Sequence, residues 1–422
     1  MDFELEPVSA AGTRFAELAE KHAQEFALTA GQHDRDGSFP DANWDSMRRS
    51  GFLSGTVPAE LGGMGVSVIE DLVVAVSRLA RGDGSTAIGA AMHATAFWYL
   101  ARRLGPAPSD ADDERFVAGI RLLLRRCARG RAVACVAISE PGTSLGHPRT
   151  IAEPDGEQYR LTGRKAFCTN SPAATVFLSS VRIPGEGELD RLGFALIPRA
   201  TPGVSVGADW DALGMRASGS GTVRFDSCLV PGGQVMPVGP IGVLAAGLLP
   251  LTMTGALVLA GAFLGLAERA EEIVADAVSA RRPGAAGRAP GERAAVQEII
   301  GHNEVDLAVS RAVLSRAARL LDERLFTAAG ADRPYRELAD LMKEAQCASM
   351  AVKRAAISIV DRALTASGGS GFLSSHPLSR LYRDVRAGPF MQPFSALDAF
   401  EYIGQVRLRL DADSDSRQGV SP

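Results

Sequence analysis

Apolar residues recur at three- and four-residue spacing along the first third of the chain, change to short β-type runs, and return to helical spacing for the remainder. Phe15, Ala19, Ala23 and Phe26 give Thr13–Leu28 one apolar helical face. The pattern repeats over Trp44–Phe52, where Gly51 supplies a stop, and then over Ile69–Ala80, Ser85–Leu104 and Glu114–Arg129. From Ala132 the runs are short, rich in β-branched residues and punctuated by Gly, Pro and Asn. They cover Ala132–Ser139, Glu157–Thr169, Ala174–Ile183, Leu192–Pro198 and Gly221–Pro231. After Pro240 helical spacing resumes to about Asp411, with long helices expected over Ala294–Ala328 and Tyr335–Ala366. The pattern predicts an α+β chain that is mainly α. An N-terminal helical domain spans 1–131, a middle antiparallel β-barrel or sandwich domain 132–236, and a C-terminal four-helix bundle 237–410, with a disordered polar tail at 411–422.

Composition changes this picture little. The chain has 422 residues, 46% hydrophobic and 22% charged, as soluble globular proteins do. A net charge of -4 gives no electrostatic reason to expect a nucleic-acid partner. Cys127, Cys135, Cys168, Cys228 and Cys347 are dispersed without a CxxC pair, which fits reduced thiols better than a disulfide framework or a metal site. The start MDFELEPVSA has no basic-then-apolar signal, so a cytoplasmic location is expected. Ile241–Ala267 is uncharged for 27 residues and long enough to cross a bilayer. It contains Pro250 and five glycines and runs into Glu268-Arg269-Ala270-Glu271-Glu272, so a buried bundle helix is expected rather than a membrane span. Arg121, Arg125 and Arg129 share one helical stripe, read as a solvated face, with an acidic docking partner as the alternative. Arg281–Arg293, RRPGAAGRAPGER, reads as a mobile loop.

The densest chemistry lies in Gly368–Gln392, GGSGFLSSHPLSRLYRDVRAGPFMQ. Gly368, Gly369 and Gly371 allow close backbone approach to a flat or phosphorylated ligand, and Arg380, Arg383, Asp384 and Arg386 follow at helix-like spacing. Three further segments stand out: ISEPGTS (Ile138–Ser144), GRKAFCTN (Gly163–Asn170) and WDALGMRASGSGTVRFDSCLVP (Trp210–Pro231). In this order the four resemble motifs of the acyl-CoA dehydrogenase superfamily of flavoproteins: TEPxxGS, G(K/R)KxWxTN, LGxRxSxxxxVxFxxVxVP and GGxGYxxxxPxxRxxRD. Phe167 stands where the family usually has Trp.

The resemblance implies a bound FAD, with FMN as the alternative, and a homotetramer or homodimer. It places Ile138, Ser139 and Thr169 along the isoalloxazine edge and Phe167 against a ring face. Ser144 and the Gly368-Gly369-Ser370 turn fall near the cofactor phosphates, the turn acting across a subunit interface. Strand-end backbone, an aromatic ring and flexible glycines suit those tasks physically. Gly214 and Arg216 read instead as a structural turn and ion pair.

One position departs from the family. Aligning RD on Arg383-Asp384 puts Gln392 where the dehydrogenases carry their glutamate base, and an amide cannot accept a proton at neutral pH. The alternative location, on the apolar helix, falls on Gly255. Asp398, Glu401 and His376 read as surface groups, and His93 is the remaining candidate base. Three readings follow. The first is oxidation of an acyl thioester on coenzyme A or an acyl carrier protein. The second is a flavin-dependent monooxygenase using reduced flavin and O₂, with a flavin reductase as partner, on a small-molecule substrate. The third is flavin or acyl binding without turnover.

Overall fold

The computed structural model describes residues 4–105, 111–185, 189–242, 248–280, 289–325, 335–391 and 393–410, the side chains of 111–113 excepted. Gln392, the tail, residues 281–288 of the expected loop and residues 326–328 of the expected helix lie outside the described residues.

Helix α1 (Ala10–Asp36) starts at Ser9, whose hydroxyl accepts from the Gly12 N–H at 2.9 Å and donates to Asp71 at 2.5 Å. It ends on Gly37 in the left-handed region, φ 61°. Next come α2 (Asp41–Ser50), α3 (Ile69–Gly82) and α4 (Gly84–Arg102), the last capped by Asp83, which accepts from the Ser85 and Thr86 N–H groups. Helix α5 (Ala111–Ala128) leads into the sheet.

Eight strands follow: β1 (Ala134–Ala137), β2 (Ile151–Asp155), β3 (Gln158–Lys165), β4 (Val176–Ile183), β5 (Arg191–Pro198), β6 (Val204–Val206), β7 (Val223–Pro231) and β8 (Val235–Pro240). Their order is β6-β7-β3-β2-β4-β5-β8, with β1 pairing β4. Most pairs are antiparallel, but β1 runs parallel to β4, and β2 meets β4 in parallel at Ile151 and Arg182. Strands β2, β6 and β8 were not expected from the pattern. Two carry proline, at Pro154, Pro237 and Pro240, which weakens a strand signal, and β6 is three residues long. Strand β8 carries the sheet beyond residue 236, onto the free edge of β5. Strand β4 is buried on both faces. Val176 and Leu178 join the helical core, while Phe177 and Val181 fill a separate core inside the β-domain with Leu161, Phe225 and Val230.

The C-terminal part comprises α6 (Leu249–Ala280), α7 (Ala294–Leu325), α8 (Tyr335–Ser367), the short α9 (Pro377–Val385) and α10 (Ala396–Leu408). Helix α6 is the hub, packed on α3, α4, α7 and α8. By length and composition it could span a bilayer, yet 94% of its most apolar window is buried inside the protein, which accounts for the missing charges. Its glycines permit the contact with α3: a Cβ on Gly265 would stand 2.0 Å from the Ser77 carbonyl oxygen.

Candidate flavin site

The turn after β3 is the centre of the site. Phe167 and Asn170 both adopt positive φ, 52° and 59°, unusual for residues other than glycine. The turn is braced on three sides. The Ala166 N–H donates to Ser139 O at 2.9 Å, the Cys168 N–H to Gly221 O at 3.0 Å, and the Asn170 N–H to Ser218 O at 3.0 Å. The Asn170 side chain donates to Ala134 O at 3.0 Å, tying the turn to β1. The result turns the Phe167 ring outward, 66% exposed, edge-on to Trp210 with centroids 6.0 Å apart. An apolar ring is left at the surface because the backbone dictates it.

Beside it, a buried ion pair fixes the segment after β1. Lys165 Nζ donates to Glu140 at 2.6 Å and to Ser180 O at 2.7 Å, and Glu140 also accepts from the Thr150 N–H and hydroxyl at 2.9 and 2.6 Å. Burial alone would raise the Glu140 carboxyl, but the Lys165 ammonium and the Thr150 donors outweigh it and hold the group below its ordinary value. Burial also lowers the Lys165 ammonium, against the pull of Glu140.

The facing wall comes from the loop before β7 and from α9. Asp384, buried in α9, accepts from the Met215 N–H at 2.6 Å, and Trp210 Nε1 donates to Met215 O at 2.9 Å. Burial lifts the Asp384 carboxyl to about 6, with Arg380 acting against it. Arg383 donates through both terminal nitrogens to Asp34, at 2.8 and 2.5 Å, and Arg216 Nε donates to the Asp34 carbonyl at 2.7 Å. Arg216 also pairs with Asp211 at 3.3 Å, the ion pair expected of it, whereas Gly214 lines the cavity itself.

These walls enclose a cavity of about 360 Å³, at the small end of the ~300–1,000 Å³ of small-molecule sites. Ile88 and Met92 of α4, Leu259 of α6, and Ile138, Ser139, Phe167, Thr169, Trp210 and Ser220 line it. Arg383, Arg386 and Met391 complete the α9 side. Among the described residues its lining contains no carboxylate, histidine, lysine or thiol. A larger cleft of about 680 Å³ opens at the far end of the sheet beside Arg103, Arg115 and Arg191, but of the described motif residues only Pro231, the last of its segment, reaches it. The convergence of motifs, rather than size, identifies the smaller cavity as the site.

Ile138, Ser139, Phe167 and Thr169 are thus brought together. Ser144 is not: it lies exposed on the following loop, its hydroxyl 3.1 Å from His147 Nδ1. Gly368, Gly369 and Ser370 lie exposed at the end of α8, outside the cavity walls, with open space around both glycines. Trp210, Leu213 and Ser220 were not singled out one by one from the sequence, although all three lie within the Trp210–Pro231 segment, whereas Arg386 was named among the cations that follow the glycine turn.

His93 does not line the cavity. It is 1% exposed, its Nδ1 accepts from the Ala134 N–H at 3.1 Å, and its Nε2 meets Leu53 O at 2.7 Å. One nitrogen accepts and the other donates, so neither is left to take a substrate proton. Its role is to tie α4 to β1. Burial pushes its pKa down to about 4 from 6.5. Between those values the unfolded chain binds a proton that the folded chain refuses, so this contribution to stability falls as pH drops from 6.5 to 4. The expected loss is at most about 3 kcal/mol. Denaturant unfolding at both ends of this range should show a flatter pH dependence for His93→Gln than for the parent. Equal slopes would contradict the assignment.

A flavin fits this slot: apolar walls, an aromatic face and hydroxyls at the strand ends are what a ring with one polar edge requires. Comparison with known proteins agrees. Three family models match in succession: the acyl-CoA dehydrogenase N-terminal domain over residues 12–108, the middle domain over 135–228 and the C-terminal domain over 257–392. The amino sugar nitrososynthase RubN8 of Streptomyces rubradiris is 35% identical over 417 residues, 97% of this chain and 92% of the relative. KijD3, solved with FMN and dTDP-3-amino-2,3,6-trideoxy-4-keto-3-methyl-D-glucose, superposes with a TM-score of 0.88 at 31% identity, covering 98% of each chain. FMN-bound TdsC from Paenibacillus sp. A11-2 gives a TM-score of 0.82 at 26% identity, covering 94% of this chain and 97% of that one. Fold, motif convergence and these matches together establish that the chain belongs to the acyl-CoA dehydrogenase family and is a flavin-dependent oxidoreductase.

Proposed function

We propose that the protein is a flavin-dependent monooxygenase acting on the amino group of a nucleotide-linked sugar. The observation that carries this reading is the cavity without a proton acceptor: no acid or histidine lines it among the described residues, and position 392 is glutamine. Thioester dehydrogenation needs a base beside the α-carbon, and oxygen transfer to an amine does not. The nitrososynthase RubN8 and KijD3, solved with an amino sugar nucleotide, support the same choice.

Reduced flavin in the slot would supply the two electrons that activate dioxygen, one oxygen atom entering the substrate and the other leaving as water. The chain's part is to keep the slot dry and oriented. Ile88, Met92, Ile138 and Leu259 exclude water, Phe167 and Trp210 offer ring surfaces, and Thr169 and Ser220 place hydroxyls at one edge. Arg383 is neutralised by Asp34, whereas Arg386 is exposed at the cavity and suits an anionic substrate such as a sugar diphosphate. The exposed 368–370 turn, followed by Phe372 at 80% and Leu373 at 59% exposure, is suited to a second copy of the chain. A flavin reductase is the partner this chemistry calls for.

The test is anaerobic addition of acyl thioesters to oxidised, flavin-loaded protein. The visible band should stay unbleached for the parent and for Gln392→Glu alike, while the reduced protein consumes oxygen when given the amino sugar nucleotide. Bleaching of the parent by a thioester, with a desaturated product, would overturn the reading.

A further inference from the structure

The wall of the slot continues inward as a line of hydroxyls. Thr169 and Ser220 both face the cavity, and Ser220 Oγ donates to Thr169 Oγ1 at 3.0 Å. Behind them Ser218 Oγ lies 2.7 Å from Ser220 Oγ. Ser218 and Ser220 are 1% and 5% exposed, so the inner part of the line is shielded from water. The backbone around it is held: the Ser218 N–H donates to Met215 O, and the Asn170 N–H to Ser218 O, each at 3.0 Å.

Each hydroxyl has one proton to give and two lone pairs to accept with. In the order seen, Ser220 gives its proton to Thr169, and the Thr169 proton is left for the slot. The Ser218–Ser220 contact accommodates either donor, so rotation of the Thr169 hydroxyl toward Ser220 would give the opposite order, Thr169 to Ser220 to Ser218, over the same oxygens and turn a Thr169 lone pair toward the slot instead. A carbonyl or amide behind Thr169 would fix one order; a second and third hydroxyl leave both open.

We propose that Ser220, backed by Ser218, is a positioning residue that allows Thr169 to serve as donor to an unprotonated ring edge and as acceptor from a protonated one. The inference rests on the flavin reading of the slot. The two orders are not equally sensitive to loss of Ser220. When Thr169 donates to the ring, Ser220 supplies only an extra proton to an oxygen already bonded. When Thr169 accepts from the ring, its own proton has Ser220 as its acceptor, and without Ser220 a buried donor is stranded. The protonated, reduced ring therefore loses more.

The experiment is titration of the purified protein with oxidised flavin in air and with reduced flavin under anaerobic conditions, for the parent, Ser220→Ala, Ser220→Thr and Ser218→Ala. Ser220→Ala should weaken the reduced form relative to the oxidised form by about tenfold, a fall of about 30 mV for a two-electron couple. Ser220→Thr should keep the parent ratio, and Ser218→Ala should shift it in the same direction by less. Unchanged ratios in Ser220→Ala with flavin bound would overturn the proposal while leaving the slot intact. If Ser220→Ala does not fold, an unchanged ratio in Ser218→Ala overturns it instead. A parent protein that binds neither form would overturn the flavin reading, and this inference with it.

Discussion

Replacing Lys165 with methionine should lower the unfolding free energy by about 3–5 kcal/mol, the loss found when one member of a buried ion pair is removed. Lys165 is fully buried and Glu140 nearly so, with side-chain exposures of 0% and 2%. Glu140 would keep its Thr150 donors but lose the ammonium that lets it stay ionised. Replacing both, as Lys165→Met with Glu140→Gln, should recover most of the loss, because a buried pair is often worth little more than a neutral substitute. Denaturant unfolding of the three variants tests this, and a single-variant loss below about 1 kcal/mol would mean that the pair does not hold the segment. The sign with pH is also set. Glu140 has a depressed pKa, so its contribution is present above its unfolded value and is lost as pH falls through the folded one. Parent stability should therefore decline faster in acid than that of the double variant.

Gly214→Ala should cost about 1–3 kcal/mol or more and weaken flavin binding at least about tenfold. A Cβ at Gly214 would stand 2.1 Å from the Arg383 carbonyl oxygen and 2.4 Å from its carbon. Both are helix backbone and cannot swing aside, so the loop from Trp210 to Met215 must lift off α9. That movement breaks the Met215–Asp384 bond of 2.6 Å and carries Trp210 away from Phe167. Stability measured without flavin and affinity measured by fluorescence titration should both fall. A variant that folds and binds as the parent does would show that the loop has slack that the geometry denies.

The parts of the site that lie within one short segment could be read before any fold was known. Ile138-Ser139 and Phe167-Thr169 each sit at the end of a strand, and strand periodicity with a breaker turn locates such ends. The opposing wall could not be read this way, since it depends on Asp34 meeting Arg383 across 349 residues and on Asp384 meeting Met215 across 169. His93 shows the same limit from the other side. Residue type alone makes it a candidate base, and only its neighbours Leu53 and Ala134 reveal that both nitrogens are engaged. Helix α6 was legible as apolar, but whether lipid or protein surrounds it is a question of packing, answered by α3, α4 and α8. The parallel pairing of β1 with β4 was hidden because strand patterns report burial and not direction.

The most direct test of the central claim is turnover of an amino sugar nucleotide with reduced flavin under dioxygen enriched in the heavy isotope, followed by mass analysis of the product. The account predicts heavy oxygen bonded to the sugar's nitrogen, with none acquired from labelled water. An unlabelled product, or a desaturated thioester formed without oxygen, would contradict it.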